Sequence, residues 1–271
     1  MTSPLIIGNW KLNGTRQKIQ ESLSILTKEK IIQYKKHIDV AIAPPIVYLS
    51  LVNDYLLKNC TYFSNQTKHK YIELCAQNVD INLSGAFTGD ISAAMLKDLG
   101  VKYVLIGHSE RRKYHKENTT YIAKKITTVK KIKLIPILCI GENQQDYDSG
   151  STQLTCAYQI DSVINLTGIQ AFKNTIIAYE PIWAIGNGIN VCPKHVQSIH
   201  EFIRQRIALH DTHIAKQILI QYGGSVNLNN AIQLLEQKDV NGLLIGAASL
   251  NMNTFIQIIQ TIEQYLQNKL Y

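Results

Sequence analysis

The sequence predicts an α/β protein, a single parallel (β/α)8 barrel spanning residues 1–271. Three observations predict it. Eight short apolar runs alternate with eight helical stretches from one end of the chain to the other. The runs are continuously apolar rather than alternating, as in parallel strands covered on both faces. The length, 271 residues with 45% hydrophobic, suits one large barrel core. An open doubly wound sheet competes with this reading, but it usually carries Gly-x-Gly-x-x-Gly after its first strand, and none is here. No linker, low-complexity tract or shift in composition divides the chain.

The elements follow in order. Leu5–Gly8 is the first strand, and residues from about Arg16 to Lys30 carry Ile19, Leu23, Ile25 and Leu26 at amphipathic helical spacing. Ile38–Ala43 is the second strand, stopped by Pro44-Pro45, and Val47–Leu57 is helical. Asn65–Lys70 reads as a polar, little-structured surface excursion. Ile72–Ala76 is the third strand, followed by a long loop, Val79–Gly89, and a helix over Ile91–Leu99 closed by Gly100. Val101–Ile106, Leu134–Ile140, Ile176–Tyr179, Ile218–Tyr222 and Leu243–Ile245 complete the strands. Helices are expected over Asn118–Lys131, Thr152–Leu166, Pro193–His210 with proline at its first position, Leu228–Glu236 and Met252–Lys269.

Net charge is +8, but the lysines come in scattered pairs (Lys35-Lys36, Lys124-Lys125, Lys130-Lys131) that read as solvated helix faces. No long basic run and no aromatic interleaving marks a nucleic-acid surface, whereas a positive field attracts a small anionic substrate. No run of 18 apolar residues predicts a membrane span, and the N-terminus lacks signal-peptide character. Five cysteines without a Cys-x-x-Cys suit reduced thiols.

The chemistry gathers where strands end. Asn9 and Lys11 follow the first strand, His108 the fourth, Glu180 the sixth, Gly223-Gly224-Ser225 the seventh and Gly246-Ala247 the eighth. In a barrel those ends meet at one mouth. Glycine turns after the last two strands suit a phosphate, because small residues let backbone N–H groups approach an anion and Ser225 adds a hydroxyl. Glu180 ends an apolar strand and is followed by Pro181, Trp183, Gly186 and Gly188: a fixed acid, a stiff hinge and a glycine-rich loop. His195, His200, His210 and His213 lack metal-ligand partners at useful spacing and read as surface residues.

Six stretches match one family in order and from end to end: Gly8-Asn-Trp-Lys-Leu-Asn13, Gly85-Ala-Phe-Thr-Gly89, Ile106-Gly-His-Ser-Glu-Arg-Arg112, Ala178-Tyr-Glu-Pro-Ile-Trp-Ala-Ile-Gly186, Tyr222-Gly-Gly-Ser225 and Gly246-Ala-Ala-Ser-Leu250. The chain resembles the triosephosphate isomerases. The resemblance implies interconversion of dihydroxyacetone phosphate and D-glyceraldehyde 3-phosphate, with no metal or cofactor, by a cytoplasmic homodimer of glycolysis and gluconeogenesis. It implies Glu180 as base, His108 as electrophile, Lys11 as the positive charge beside the enediolate, and substrate contacts from Asn9, Lys11, Gly186, Ser225, Gly246 and Ala247. The pairing of a glutamate base with a neutral histidine is known for that family rather than read from these residues. Glu110 with Arg111 or Arg112 is expected to brace the site through ion pairs, and the Val79–Gly89 loop to enter a partner subunit, placing Thr88 near the partner's active site.

Three departures from the family pattern carry expectations. Ala247 stands where a second glycine is usual and is expected to keep a negative φ. The loop reads Gly186-Asn-Gly-Ile-Asn-Val191, so its far hinge, Ile189–Val191, is expected to open with altered kinetics. Asn65–Lys70 is longer than usual, with no function assigned to it.

Overall fold

The computed structural model describes residues 3–28, 37–64 and 67–269. The predicted barrel is present: eight parallel strands close on themselves. They are β1 (Leu5–Asn9), β2 (Asp39–Ala43), β5 (Ile72–Ala76), β6 (Val101–Ile106), β7 (Ile135–Ile140), β8 (Ile176–Tyr179), β9 (Leu219–Tyr222) and β10 (Gly242–Ile245). The two strands between β2 and β5 in the chain, β3 (Thr61–Ser64) and β4 (Thr67–Lys70), lie outside the ring. β1 closes the ring, pairing with β2 on one side and β10 on the other, Leu5 facing both Asp39 and Gly242. The continuous apolar runs have a simple cause. Leu5, Ile7, Ala41, Ala43, Cys75 and Cys139 fill the barrel interior, while Ile6, Val40, Ile42 and Leu74 face the surrounding helices. Both faces of each strand are buried, so most strand positions are apolar; Gln221 in β9 is a buried exception, its Nε2 donating to Leu5 O at 2.8 Å.

The helices that lead back from the barrel mouth are α1 (Arg16–Lys28), α2 (Leu49–Asn59), α3 (Ala93–Asp98), α4 (Ser109–Tyr114), α5 (Thr119–Lys131), α6 (Gln144–Asp148), α7 (Thr152–Thr167), α8 (Pro193–Ala208), α9 (Thr212–Gln217), α10 (Ala231–Leu235) and α11 (Met252–Lys269). Side-chain caps fix several starts. Asn118 accepts the Tyr121 N–H, and Ser92 accepts the Met95 N–H, which shortens the expected Ile91–Leu99 helix. The short polar helices α6 and α9 carry too few turns for an apolar period to show. The predicted end of the first helix, Glu29 and Lys30, and the Lys35-Lys36 pair lie outside the described residues. No helix among the described residues is long and apolar enough to cross a membrane.

Three sequence expectations fail. The first is the excursion near Asn65–Lys70, which contains a strand. β3 and β4 form an antiparallel hairpin, with Tyr62 opposite His69. The rings of Tyr62, His69 and Tyr71 pack together, and Lys70 Nζ donates to Gly100 O at 2.8 Å, tying the hairpin to the chain before β6. Asn65 and Gln66 themselves lie outside the described residues. The second is Lys125, which is buried rather than solvated. It donates to Glu117 Oε1 at 2.6 Å and Asn78 Oδ1 at 2.7 Å, and burial is offset only because the pair is closed.

The third is His200, which is fully buried in α8 rather than on the surface. It lies in the apolar stripe of Val196, Ile199, Ile203 and Ile207. Its Nδ1–H donates to Asp239 O at 3.1 Å, and its ring stands edge-on to Tyr179. Burial pushes its pKa down from 6.5 to about 4. Between those two values the unfolded chain binds the proton and the folded chain does not, so stability falls as pH falls across that window, by about 3 kcal/mol in full. A His200→Gln variant keeps an N–H for Asp239 and is expected to show a flatter decline of Tm between pH 7 and pH 4.5. An unchanged pH slope would remove His200 from the acid sensitivity.

Candidate active site

The end of β1 is folded by hydrogen bonds rather than by propensity. Lys11 has φ +50°, a left-handed conformation that costs a non-glycine residue about 1–2 kcal/mol. Three bonds hold it there. Its N–H donates to Asn9 Oδ1 at 3.0 Å, and Gln77 Nε2 donates to Lys11 O at 2.9 Å and Ala43 O at 2.8 Å. Gln77, directly after β5, therefore sets where Lys11 points. Lys11 Nζ reaches Glu110 Oε1 at 2.7 Å across the mouth.

His108 caps α4. Its Nδ1 accepts the Glu110 N–H at 3.3 Å. A ring nitrogen that accepts an amide N–H carries the lone pair, so the proton resides on Nε2. The Glu110 carboxylate also stands 3.5 Å from Nδ1, which alone favours the opposite tautomer. That carboxylate is half exposed and bound to Lys11, so the backbone bond decides. Nε2 faces Glu180 Oε1 at 3.4 Å.

Glu180 is almost fully buried at the end of β8. Its Oε2 accepts the Ser109 N–H at 3.3 Å, from the first turn of α4. Its backbone N–H donates to Ile140 O at 2.7 Å. Two glycines make room for it. A Cβ at Gly223 would lie 2.9 Å from Glu180 Cγ, and one at Gly141 only 1.9 Å from Glu180 O. The expected bracing is divided. Arg111 pairs with Glu117, and Glu110 with Lys11, but Arg112 spends its guanidinium on the carbonyls of Gly107 and Cys139 and makes no ion pair to a carboxylate among the described residues.

A cavity of about 360 Å³ lies beside this pair. Asn9, Lys11, His108 and Glu180 line it together with Gly186, Ser225, Gly246 and Ala247. Every predicted site residue therefore meets at one place. Gly224 has no space for a side chain, since a Cβ would stand 2.2 Å from the Tyr222 hydroxyl. Ala247 opens a 3-10 turn, Ala247–Ser249, and is not among the residues with positive φ, as expected. The strain feared at that position is absent.

The loop after Glu180 is hinged asymmetrically. At the near end Trp183 Nε1 donates to Glu142 Oε1 at 2.7 Å, Tyr179 Oη donates to the same oxygen at 3.0 Å, and Tyr147 stacks on the indole. Burial raises the Glu142 pKa despite those two bonds. Gly186 and Gly188 take φ +75° and +76°, which only glycine adopts without strain. Sequence reading missed Gln77, Ser109, Gly141 and Glu142, because each acts through a contact with a distant strand or loop. Their one shared signal is position, directly after a strand or after His108. Among the described residues, no group of three or more His, Cys, Asp or Glu side chains is placed to hold a metal ion.

A sequence model described as triosephosphate isomerase matches residues 4–262. A protein named triosephosphate isomerase from Blochmanniella floridana is 58% identical over 254 residues, covering 94% of each chain. That of Blochmanniella pennsylvanica is 54% identical over 261 residues, 96% of each. That of Sodalis glossinidius is 48% identical over 268 residues, 99% of this chain and all of the relative. A family match over nearly the whole chain and relatives 48–58% identical show the same thing: this chain belongs to the triosephosphate isomerase family.

Proposed function

We propose that the chain interconverts dihydroxyacetone phosphate and D-glyceraldehyde 3-phosphate. The observation that carries this is the Glu180–His108 pair, 3.4 Å apart at the barrel mouth beside a cavity lined by small-residue turns. Glu180 removes a proton from the carbon next to the carbonyl, and the electrons move onto the carbonyl oxygen. His108 Nε2–H donates to that oxygen and passes protons between the two enediolate oxygens. Glu180 then returns its proton to the neighbouring carbon. Lys11 offsets the negative charge that develops, and Asn9 Nδ2, which donates to no group among the described residues while Oδ1 accepts the Lys11 N–H, donates to a substrate oxygen. Ser225, Gly246, Ala247 and Gly186 hold the phosphate. No substrate atom fits in a 3.4 Å gap, so the carboxylate leaves Ser109 and swings as substrate enters. The loop over residues 186–190 closes over the phosphate and excludes water.

The working form is a homodimer. The loop from Val79 to Gly89 projects with Leu83 and Phe87 exposed, and beside the mouth lies a cavity of about 700 Å³ lined by Leu12, Val47 and Tyr114. Leu12 is 97% exposed and Val47 75%, and apolar surface left in this way is suited to cover by a second copy. Thr88 then stands beside Asn9 and Lys11 of the partner subunit. The reaction places the enzyme in glycolysis and gluconeogenesis, in the cytoplasm.

A coupled assay with D-glyceraldehyde 3-phosphate tests both statements. Turnover is expected without added metal, and activity per chain is expected to fall on dilution as sedimentation shows the dimer dissociating. No turnover by the folded protein would overturn the reaction, and a fully active monomer would overturn the assembly.

A further inference from the structure

The far hinge is where this chain departs from the familiar pattern, and Asn190 is its most connected residue. Asn190 Oδ1 accepts two amide donors, Asn227 Nδ2 at 3.0 Å and Asn230 Nδ2 at 3.1 Å. Asn230 Nδ2 uses its other hydrogen on Ser225 O at 3.0 Å. Asn230 Oδ1 accepts the Asn227 N–H at 2.8 Å, which fixes the two asparagines against each other. Asn230 is more than nine-tenths buried, so this geometry is held by packing. One amide group therefore bridges the end of the loop to the turn that faces the phosphate cavity.

The loop itself is exposed from Gly186 to Asn190, and its internal bonds are local. Asn187 Nδ2 donates to Trp183 O, and the Ile189 N–H donates to Asn187 Oδ1 at 3.1 Å. The 186–188 segment thus carries its own frame, and the two bonds at Asn190 are its side-chain anchor to the β9 exit. The loop stands open in this structure, exposed from Gly186 to Asn190 beside a cavity of about 360 Å³ that Gly186 and Gly188 line. Closing by a turn about residues 189–191 moves Asn190 relative to the fixed Asn227–Asn230 pair.

We propose that Asn190 is a positioning residue that clamps the far hinge in its open arrangement, so that its two bonds weigh against closure and favour release. This rests on reading residues 186–190 as a lid over bound phosphate. A ligand shifts a two-state equilibrium only by its differential affinity, so removing bonds made in the open state alone must raise the affinity of every ligand that needs the closed state.

The probe is 2-phosphoglycolate, which bears a carboxylate where the enediolate oxygens form. Asn190→Ala is expected to bind it about three- to tenfold more tightly by calorimetry, the scale of one to two neutral hydrogen bonds. KM is expected to fall alongside, with no rise in kcat. Asn227→Ala removes one donor, leaves Asn230 on Ser225, and is expected to shift affinity the same way by less. Melting curves confirm that both variants are folded at the assay temperature. Unchanged or weaker binding by folded Asn190→Ala, with wild type binding normally, overturns the clamp and leaves the site intact. Wild type that neither binds the probe nor turns over triose phosphate overturns the site reading, and the clamp with it.

Discussion

Glu180→Gln is expected to lower kcat about a hundred- to ten-thousandfold, the usual contribution of a positioned general base, while KM changes little. The substitution is nearly isosteric. An amide oxygen can still accept the Ser109 N–H that Glu180 Oε2 accepts at 3.3 Å, and Gly223 still leaves room for the side chain. What is lost, under the proposed mechanism, is the basic carboxylate that takes a carbon-bound proton. Because Glu180 is buried, replacing a carboxylate by a neutral amide removes a desolvation penalty, so Tm is expected to hold or rise. Activity and stability therefore part company, which a merely structural carboxylate does not allow. The check is the coupled assay beside a melting curve. Turnover equal to wild type would take the base role from Glu180. A Tm that collapses together with kcat would make the residue a structural one.

The contrast between what the residues announced and what they hid has a physical basis. Parallel strands buried on both faces are largely apolar, so all eight barrel strands stand out as runs despite Glu73, Lys102 and Gln221 within them, and the mouth follows from strand order alone. Asn9, Lys11, His108 and Glu180 were legible because polar residues directly after such runs have few structural reasons to be there. The hairpin was misread because Thr67–Lys70 is polar at every position, with no apolar alternation to mark a strand, although Tyr62 and Phe63 on its first strand are β-formers. His200 and Lys125 could have been found. Each sits inside an apolar helical stripe, His200 between Ile199 and Ile203 and Lys125 beside Ile122 and Ile126, and a polar residue there is buried and paired rather than solvated. Gln77, Ser109 and Gly141 carry no local signal beyond their position after a strand or after His108. Their roles arise where one strand or loop approaches another, and only coordinates record that.

Gly141→Ala turns the most severe of those approaches into an expected result. Gly141 does not need glycine for its backbone angle, since it is not among the residues with positive φ. It needs glycine for space. A Cβ there would lie 1.9 Å from Glu180 O, 2.6 Å from its carbonyl carbon and 3.3 Å from its Cα. These are backbone atoms, so no rotamer change relieves them. Both strands are also pinned. Gln159 receives the Gly141 N–H at 2.9 Å and donates to Gly141 O at 3.0 Å, the Glu180 N–H is held by Ile140 O, and the Ile182 N–H by Glu142 O. Relief requires a shift of roughly an ångström in one of two tied segments, one of which carries Glu180 and the near hinge. Overpacking of this kind costs about 1–3 kcal/mol, and misplacing a reacting group by about 1 Å can cost about a hundredfold in rate. Tm is expected to drop by several degrees and kcat by about a hundredfold, with the protein folded at 25 °C. The double variant separates the two effects. If the rate loss runs through Glu180, adding Gly141→Ala to Glu180→Gln lowers kcat little further, because the group it displaces no longer takes a proton. A full additional loss in the double variant would place the damage elsewhere, in the hinge or the phosphate turn. Wild-type Tm and kcat in the single variant would mean that the strands part without cost, and that the tight approach does not position the base.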